Sequence, residues 1–322
     1  MTATTEATLD FHRTVDPQVV WTLSPEQTFV TDWSFDAERE EFRIGARLPR
    51  SHLRFSDTAN PYPDVCLLTQ VVAQAGVIVV AELLDVPLDS TFLLRRFAAT
   101  LDPLENNRLG PDATRYSMKT DRETTFFKVR RTGRPPTASM ITACELEGRP
   151  CGQLEVQGIW VYEDKYELFR RAGGGGDEAR AAEPYDTSGL EPEPQSGRSL
   201  PRNVAIAVLR EAGEPAAYET TVLVDQTDPT FYERPLDHVP GLLLLDAAKQ
   251  ATTAAVCRER SVDPSRVAIH FAEFEFSRFA ELSAPVECRV DLSAGPGEVQ
   301  SLFTQAGRKV CKAKLGATVL DG

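Results

Sequence analysis

The chain has 322 residues, 42% hydrophobic and 26% charged, the composition of a soluble protein with one large core or two of ordinary size. Thirty-five Lys plus Arg against 48 Asp plus Glu leave a formal charge of −13, which disfavours diffuse binding to nucleic acid or an anionic membrane; an anionic partner needs a local basic patch. The six cysteines form no C-x-x-C pair and the four histidines no helical H-x-x-x-H, so no zinc site is expected, and nothing signals a metal, nucleotide, flavin or other cofactor.

In chain order, residues 1–16 are polar and acidic where a secretory signal needs a basic patch and an apolar run, so a reducing cytoplasm with free, buried thiols is expected. The next feature is PDVCLLTQVVAQAGVIVVAELL, Pro63 to Leu84, apolar on nearly every side and long for a strand. Its length would cross a bilayer, but Gln70, Gln74 and Glu82 argue for a helix wrapped by other structure. Alternating segments then predict strands at Thr91–Asp102, Thr124–Gly133 and Met140–Glu163, the last folded into a hairpin at Gly-Arg-Pro.

From Arg171 to Leu200 four consecutive glycines, several prolines and few large apolar residues predict a mobile linker. It divides the chain into 1–170, 171–200 and 201–322. Beyond it, VPGLLLLDAAKQATTAAVCRER (Val239 to Arg260) predicts a second apolar helix, followed by strands at Val267–Leu282, Val286–Ser293 and Val299–Leu320, with a turn at Ala306–Gly307. Offset by 176 positions, Leu67–Ala75 aligns with Leu243–Ala251, matching Leu67 with Leu243, Leu68 with Leu244 and Gln74 with Gln250. A long helix followed by an antiparallel meander, twice over, is the order of an α+β tandem double hot dog, each sheet curling around its helix.

The candidate chemistry lies in FYERPLDHVPGLLLLDAAKQA, Phe231 to Ala251. A helix starting near Gly241 offers backbone N–H groups to a thioester carbonyl; alternatively, the glycine serves only close packing. Asp246 and Lys249 share a helix face and form either a structural ion pair or the wall of a pocket, with Asp246 as acid/base and Lys249 as phosphate or carbonyl anchor. The equivalent positions in the first helix are Gln70 and Ala73, and Gln70 and Gln74 either satisfy backbone groups or line a polar cavity. His238 is a turn residue or a proton shuttle, while Asp237 and Arg234 shape the loop or orient substrate.

The run RPLDHVPGLLLLDAAKQA, with AELLDVPLDSTFLL in the first half and RFAELSAPVECRV in the second, resembles the A-factor biosynthesis hot-dog family of AfsA-like γ-butyrolactone synthases over most of the chain. The resemblance implies transfer of a β-ketoacyl group from an acyl carrier protein to a hydroxyl of dihydroxyacetone phosphate or a related acceptor, in signalling-molecule or specialised-metabolite biosynthesis. Carried over by position, it implies Gly241 for the carbonyl, Asp246 for the alcohol and Lys249 with a nearby arginine for the phosphate. Gln70, Gln74, Gln250 and Arg234 would contact substrate, and His238 would assist proton transfer.

The family pattern places E-x-x-R-Q in each half; here the triads are Gln70, Ala73, Gln74 and Asp246, Lys249, Gln250. A hot-dog dehydratase or thioesterase acting on an acyl thioester, or a non-catalytic ligand-binding paralogue, therefore stays open. Arg95 with Arg96, or Lys128, Arg130, Arg131 and Arg134, either dock a carrier or are simply solvated strand faces, and the chain would act as a pseudo-dimeric monomer or as a homodimer.

Overall fold

A computed structural model describes residues 8–84, 90–110, 114–121, 125–128, 137–172, 182–295 and 297–321. Two helices of 20 residues, α1 (Val65–Leu84) and α3 (Gly241–Arg260), form the axes of the two halves and begin 176 positions apart. The strand after each repeats the interval, β3 at Thr91–Thr100 and β11 at Val267–Phe276. Both halves are built by one recipe, the tandem double hot dog.

A hairpin precedes α1, β1 (Val30–Asp36) with β2 (Glu41–Leu48). Its counterpart before α3 is β8 (Arg210–Glu211) with β9 (Ala217–Thr221), and a bridge from Ile206 to Val222 extends it. The expected strands do not include these hairpins, although β2 alternates, with Phe42, Ile44, Ala46 and Leu48 buried and Arg43 and Arg47 half-buried. After β3 the first half adds β4 (Thr114–Asp121), β5 (Thr125–Lys128), β6 (Thr137–Leu146) and β7 (Arg149–Val161). After β11 the second half adds β12 (Ala280–Glu281), β13 (Glu287–Gly295), β14 (Glu298–Gln305) and β15 (Arg308–Val319). The first-half hairpin turns at Glu147–Gly148, both with positive φ, rather than at Gly-Arg-Pro, and so matches Ala306–Gly307 in the second half.

Thirteen of the described strands join in one sheet of order β1-β2-β4-β6-β7-β3-β11-β15-β14-β13-β9-β8, with β5 on β6, while β10 (His238–Val239), just before α3, pairs with β12. The two halves meet where β3 pairs antiparallel with β11, Phe97 opposite Phe274 and Ala98 opposite Glu273. Shifting either pair by 176 positions and exchanging strands yields the other, so a pseudo-twofold axis passes through this junction.

The sheet curls around both helices, which explains why neither is amphipathic. On α1, Val65–Leu68, Val71, Val72, Ala75 and Val77–Val80 are buried, and only a narrow stripe including Gln70 and Ala73 is half-buried. The window Val65–Leu83 is long and apolar enough to cross a membrane, yet 78% of it is buried within the fold.

Residues 171–200 differ from the expected linker. Arg171 and Ala172 end a short helix, α2 (Glu163–Ala172), and residues 173–181 lie outside the described residues. The stretch 182–200 is not loose: Pro192 bridges Ala207, Glu193 is buried against Arg258, and Arg198 is buried. The cause is the repeat itself. Leu23 and Ser24 N–H donate to Glu233 Oε1, and 176 positions on, Ser199 and Leu200 N–H donate to the Asp57 carboxylate. Low hydrophobicity there marks an extended segment held by polar contacts, so the second repeat starts well before residue 201.

Candidate functional site

The pseudo-twofold produces two equivalent sites, one at the N-terminus of each long helix, each facing the other helix. Their fates differ. At α3 a cavity of about 460 Å³ opens, lined by His238, Pro240, Gly241 and Leu242, by Gln70 and Ala73 of α1, and by apolar walls that include Phe92, Phe169 and Phe276. At α1 the corresponding space is about 40 Å³. Its Tyr62, Asp64 and Val65 occupy the positions of His238, Pro240 and Gly241, and its Lys249 that of Ala73.

Charge explains the closure. Asp64 caps α1, accepting from Cys66 N–H at 2.8 Å, and its other oxygen receives Lys249 Nζ at 2.6 Å. Arg198 reaches both Asp64 (2.9 Å) and Asp246 (2.6 Å). Arg54 holds Asp246 at 2.6 Å and Asp228 at 2.6 Å while lying over the Phe231 ring. Three cations thus meet three carboxylates, and the side chains of Asp64, Asp246 and Arg198 are at most 1% exposed.

Burial alone would raise both the Asp64 and Asp246 carboxyls, but Arg198 and Lys249, with Arg54 at Asp246, hold them below the ordinary range. Because folding lowers both values, the cluster stabilises fully above the unfolded carboxylate range and loses that contribution as pH falls through it toward the folded values. Urea midpoints should therefore stay level down to about pH 5 and drop steeply below about pH 4; a midpoint indifferent to acid would contradict this. Asp64, Cys66 and Asp246 lie close enough to suggest a metal set, but burial pushes the Cys66 thiol well up and the carboxylate oxygens already face the three cations.

Several sequence expectations change accordingly. Asp246 and Lys249 are the structural pair rather than a pocket wall beside Gly241: Asp246 is fully buried and lines neither of these two cavities. Gln74 accepts from Phe29 N–H and donates to Gln27 O; Gln250 repeats this with Ala205 N–H and Asn203 O. Both glutamines clamp the chain beside their helix, and neither lines the cavity at the α3 N-terminus. Arg234 is exposed and reaches Trp21 O at 3.4 Å, away from the cavity. Of the expected site residues, the structure brings together Gly241, His238 and Gln70.

The α3 terminus is built to receive a ligand. Pro240 is its N-cap and offers no side-chain acceptor. Leu243 and Leu244 N–H turn back onto Pro240 O, so the N–H groups of Gly241 and Leu242 are those a first helical turn leaves for a partner. A Cβ at Gly241 would stand 3.1 Å from the Phe276 ring, so the glycine serves packing as well as access. Gly241→Ala should raise the KM for a thioester about tenfold, with a stability loss of only about 1 kcal/mol. Steady-state kinetics beside thermal melting measures both; an unchanged KM would remove Gly241 from the binding site.

Beside the terminus stands a histidine and carboxylate pair. His238 Nδ1 lies 2.7 Å from Asp237 Oδ1, which also accepts from Tyr166 Oη at 2.9 Å. Arg170 Nε donates to the other Asp237 oxygen at 2.9 Å, binds Glu281, and lies over Phe279. Burial tends to raise the Asp237 carboxyl, but the His238 and Tyr166 hydrogen bonds and the Arg170 charge hold it far below its ordinary range. An ionised Asp237 accepts a hydrogen bond from Nδ1–H and so holds the proton on Nδ1, which leaves Nε2 as the nitrogen with a free lone pair. Tyr166 and Arg170 come from α2, which the sequence left inside a domain end and a linker.

A-factor biosynthesis hotdog domain is the family model that matches, over residues 3–161 and 193–321. A 2-oxo-3-(phosphooxy)propyl 3-oxoalkanoate synthase of Streptomyces virginiae is 27% identical over 274 residues, 84% of this chain and 85% of that protein. A protein of the same description from Streptomyces coelicolor is 27% identical over 266 residues, covering 82% and 77%. Among solved structures, the 12:0-ACP thioesterase from Umbellularia californica superposes with a TM-score of 0.50 at 9% identity, over 88% of this chain and all of that one, a likeness of fold alone.

Proposed function

The chain belongs to the A-factor biosynthesis hotdog family and is an enzyme, and from that premise we propose that it transfers an acyl group from a carrier-bound thioester to the hydroxyl of a small phosphorylated acceptor. The observation that carries the reading is the uncapped N-terminus of α3, opening into a cavity of about 460 Å³ beside His238. The relatives' shared description supports the finer version, a β-ketoacyl donor with dihydroxyacetone phosphate or a close analogue as acceptor.

In this reading the thioester carbonyl oxygen rests on the N–H groups of Gly241 and Leu242, where the helix dipole favours the developing negative charge. His238 Nε2 takes the acceptor's hydroxyl proton as that oxygen attacks the carbonyl carbon. The tetrahedral centre collapses with loss of the C–S bond, and the proton passes from His238 to the departing thiolate. Gln70 contributes an amide to the polar end of the cavity and no proton. The apolar walls hold the acyl chain and keep competing water out.

The test is mass spectrometry of the protein mixed with a β-ketoacyl carrier protein and dihydroxyacetone phosphate. A phosphorylated ester formed as the carrier loses its acyl group is the expected result. Free acid or loss of water from the acyl chain would assign thioesterase or dehydratase chemistry instead, and an untouched carrier would overturn this donor.

A further inference from the structure

Lys249, the expected phosphate anchor, has its ammonium between Asp64 and Asp246 at 2.6 and 3.1 Å. A phosphorylated substrate must find its countercharge elsewhere. Among the described residues the cavity lining contains Arg95, Arg278, His238 and the N-terminus of α3, and no aspartate or glutamate. In a chain with 48 acidic residues against 35 basic ones, that is a local reversal of sign.

The two arginines are also uncommitted. Both side chains are exposed, and among the described residues neither guanidinium has an ion-pair or hydrogen-bond partner, although Arg278 N–H donates to Val310 O. Arg96, next in sequence to Arg95, is different: it pairs with Glu155 and Glu273 and is thereby withdrawn from any docking patch. The two free arginines stand on adjoining elements, Arg95 within β3 and Arg278 just past the end of β11, and these strands pair through Arg96 and Glu275. Leaving two planar guanidiniums at the rim of an apolar cavity whose described lining holds no carboxylate favours a multidentate oxyanion such as a phosphate ester.

We propose that Arg95 and Arg278 form the phosphate-binding rim of this cavity, with the α3 N-terminus adding to the positive field deeper inside. The inference rests on the cavity being the reaction site. It leaves two sources for the same chemistry: the phosphate monoester of the acceptor, or the phosphodiester of the carrier's pantetheine arm. The second patch expected to dock a carrier, at residues 128–134, lies outside the described side chains.

Isothermal titration with two probes separates the sources: glycerol 3-phosphate for the monoester, and the methyl phosphodiester of pantetheine for the arm. The intact protein should bind at least one, and Arg95→Gln with Arg278→Gln should weaken that binding about tenfold or more. Arg202→Gln, an exposed arginine outside this cavity, should leave it unchanged. The probe that responds names the source. Binding of neither probe, or undiminished binding by the double variant, overturns the proposal. Because the readout is binding, a protein that binds phosphate through these arginines yet transfers no acyl group would retain the rim while the acyltransferase reading falls.

Discussion

Asp246→Ala is expected to cost about 3–5 kcal/mol of folding stability, because it leaves Arg54, Arg198 and Lys249 facing one another in a buried space with a single shared counter-ion removed. Asp246 is the hub: its two oxygens receive Arg54, Arg198, Gln250 and Lys249, drawn from the loop before α1, the segment before β8, and α3 itself. Removing any one cation leaves two others to neutralise it, so Lys249→Met should cost less. Asp246→Asn keeps the volume and some hydrogen bonds and should fall between. Urea unfolding of the three variants measures the order. If Asp246→Asn melts like the unaltered protein but transfers no acyl group, Asp246 is catalytic and the structural assignment is wrong.

The long helices, the meanders, the double hot dog and the importance of the Asp-His-Val-Pro-Gly turn were legible because they leave local signals: apolar runs, alternation, proline before helix, and a repeat at an interval of 176. The repeat was more extensive than the helices alone suggested. Phe55 and Asp57 stand at the same interval from Phe231 and Glu233, and Asp57 and Glu233 make reciprocal contacts across the pseudo-twofold. The same interval sets Leu23 and Ser24 against Ser199 and Leu200, inside the stretch expected as a linker. The ion cluster was illegible because its members come from five separate stretches: Arg54, Asp64, Arg198, Asp228 and the pair on α3. No spacing rule joins Arg54 to Asp246 across 192 positions.

Once the two sites are compared, the altered motif residues acquire a physical meaning. Gln70 takes the position of Asp246 and Ala73 that of Lys249, so the α1 contribution to the α3 site is neutral and small. A carboxylate and an ammonium there would face the cavity or close it, as Asp246 and Lys249 help to close the α1 site. Loss of charge in the first helix is therefore what keeps one site open, and its natural reader is the histidine beside it. Gln70, expected from the sequence to contact substrate, lines the cavity as a consequence of its position on the pseudo-twofold.

His238→Gln should lower kcat for acyl transfer about 10²- to 10⁴-fold, with a much smaller change in thioester KM, since it removes the proton acceptor and leaves the Gly241 terminus intact. Asp237→Asn should be comparably damaging, because an amide can present its carbonyl or its N–H₂ to Nδ1 and no longer fixes which imidazole nitrogen carries the proton. Arg170 acts one step further away, as a positioning residue that touches Asp237, Glu281 and Phe279. Arg170→Gln should reduce kcat about tenfold and Arg170→Lys should recover part of it, a rescue that general loosening of α2 would not produce. The measurements are initial rates across pH for each variant, with melting curves to exclude unfolding. A His238→Gln enzyme working within about threefold of the original rate would remove the histidine from proton transfer, and the α3 terminus would then act on a nucleophile activated by another group.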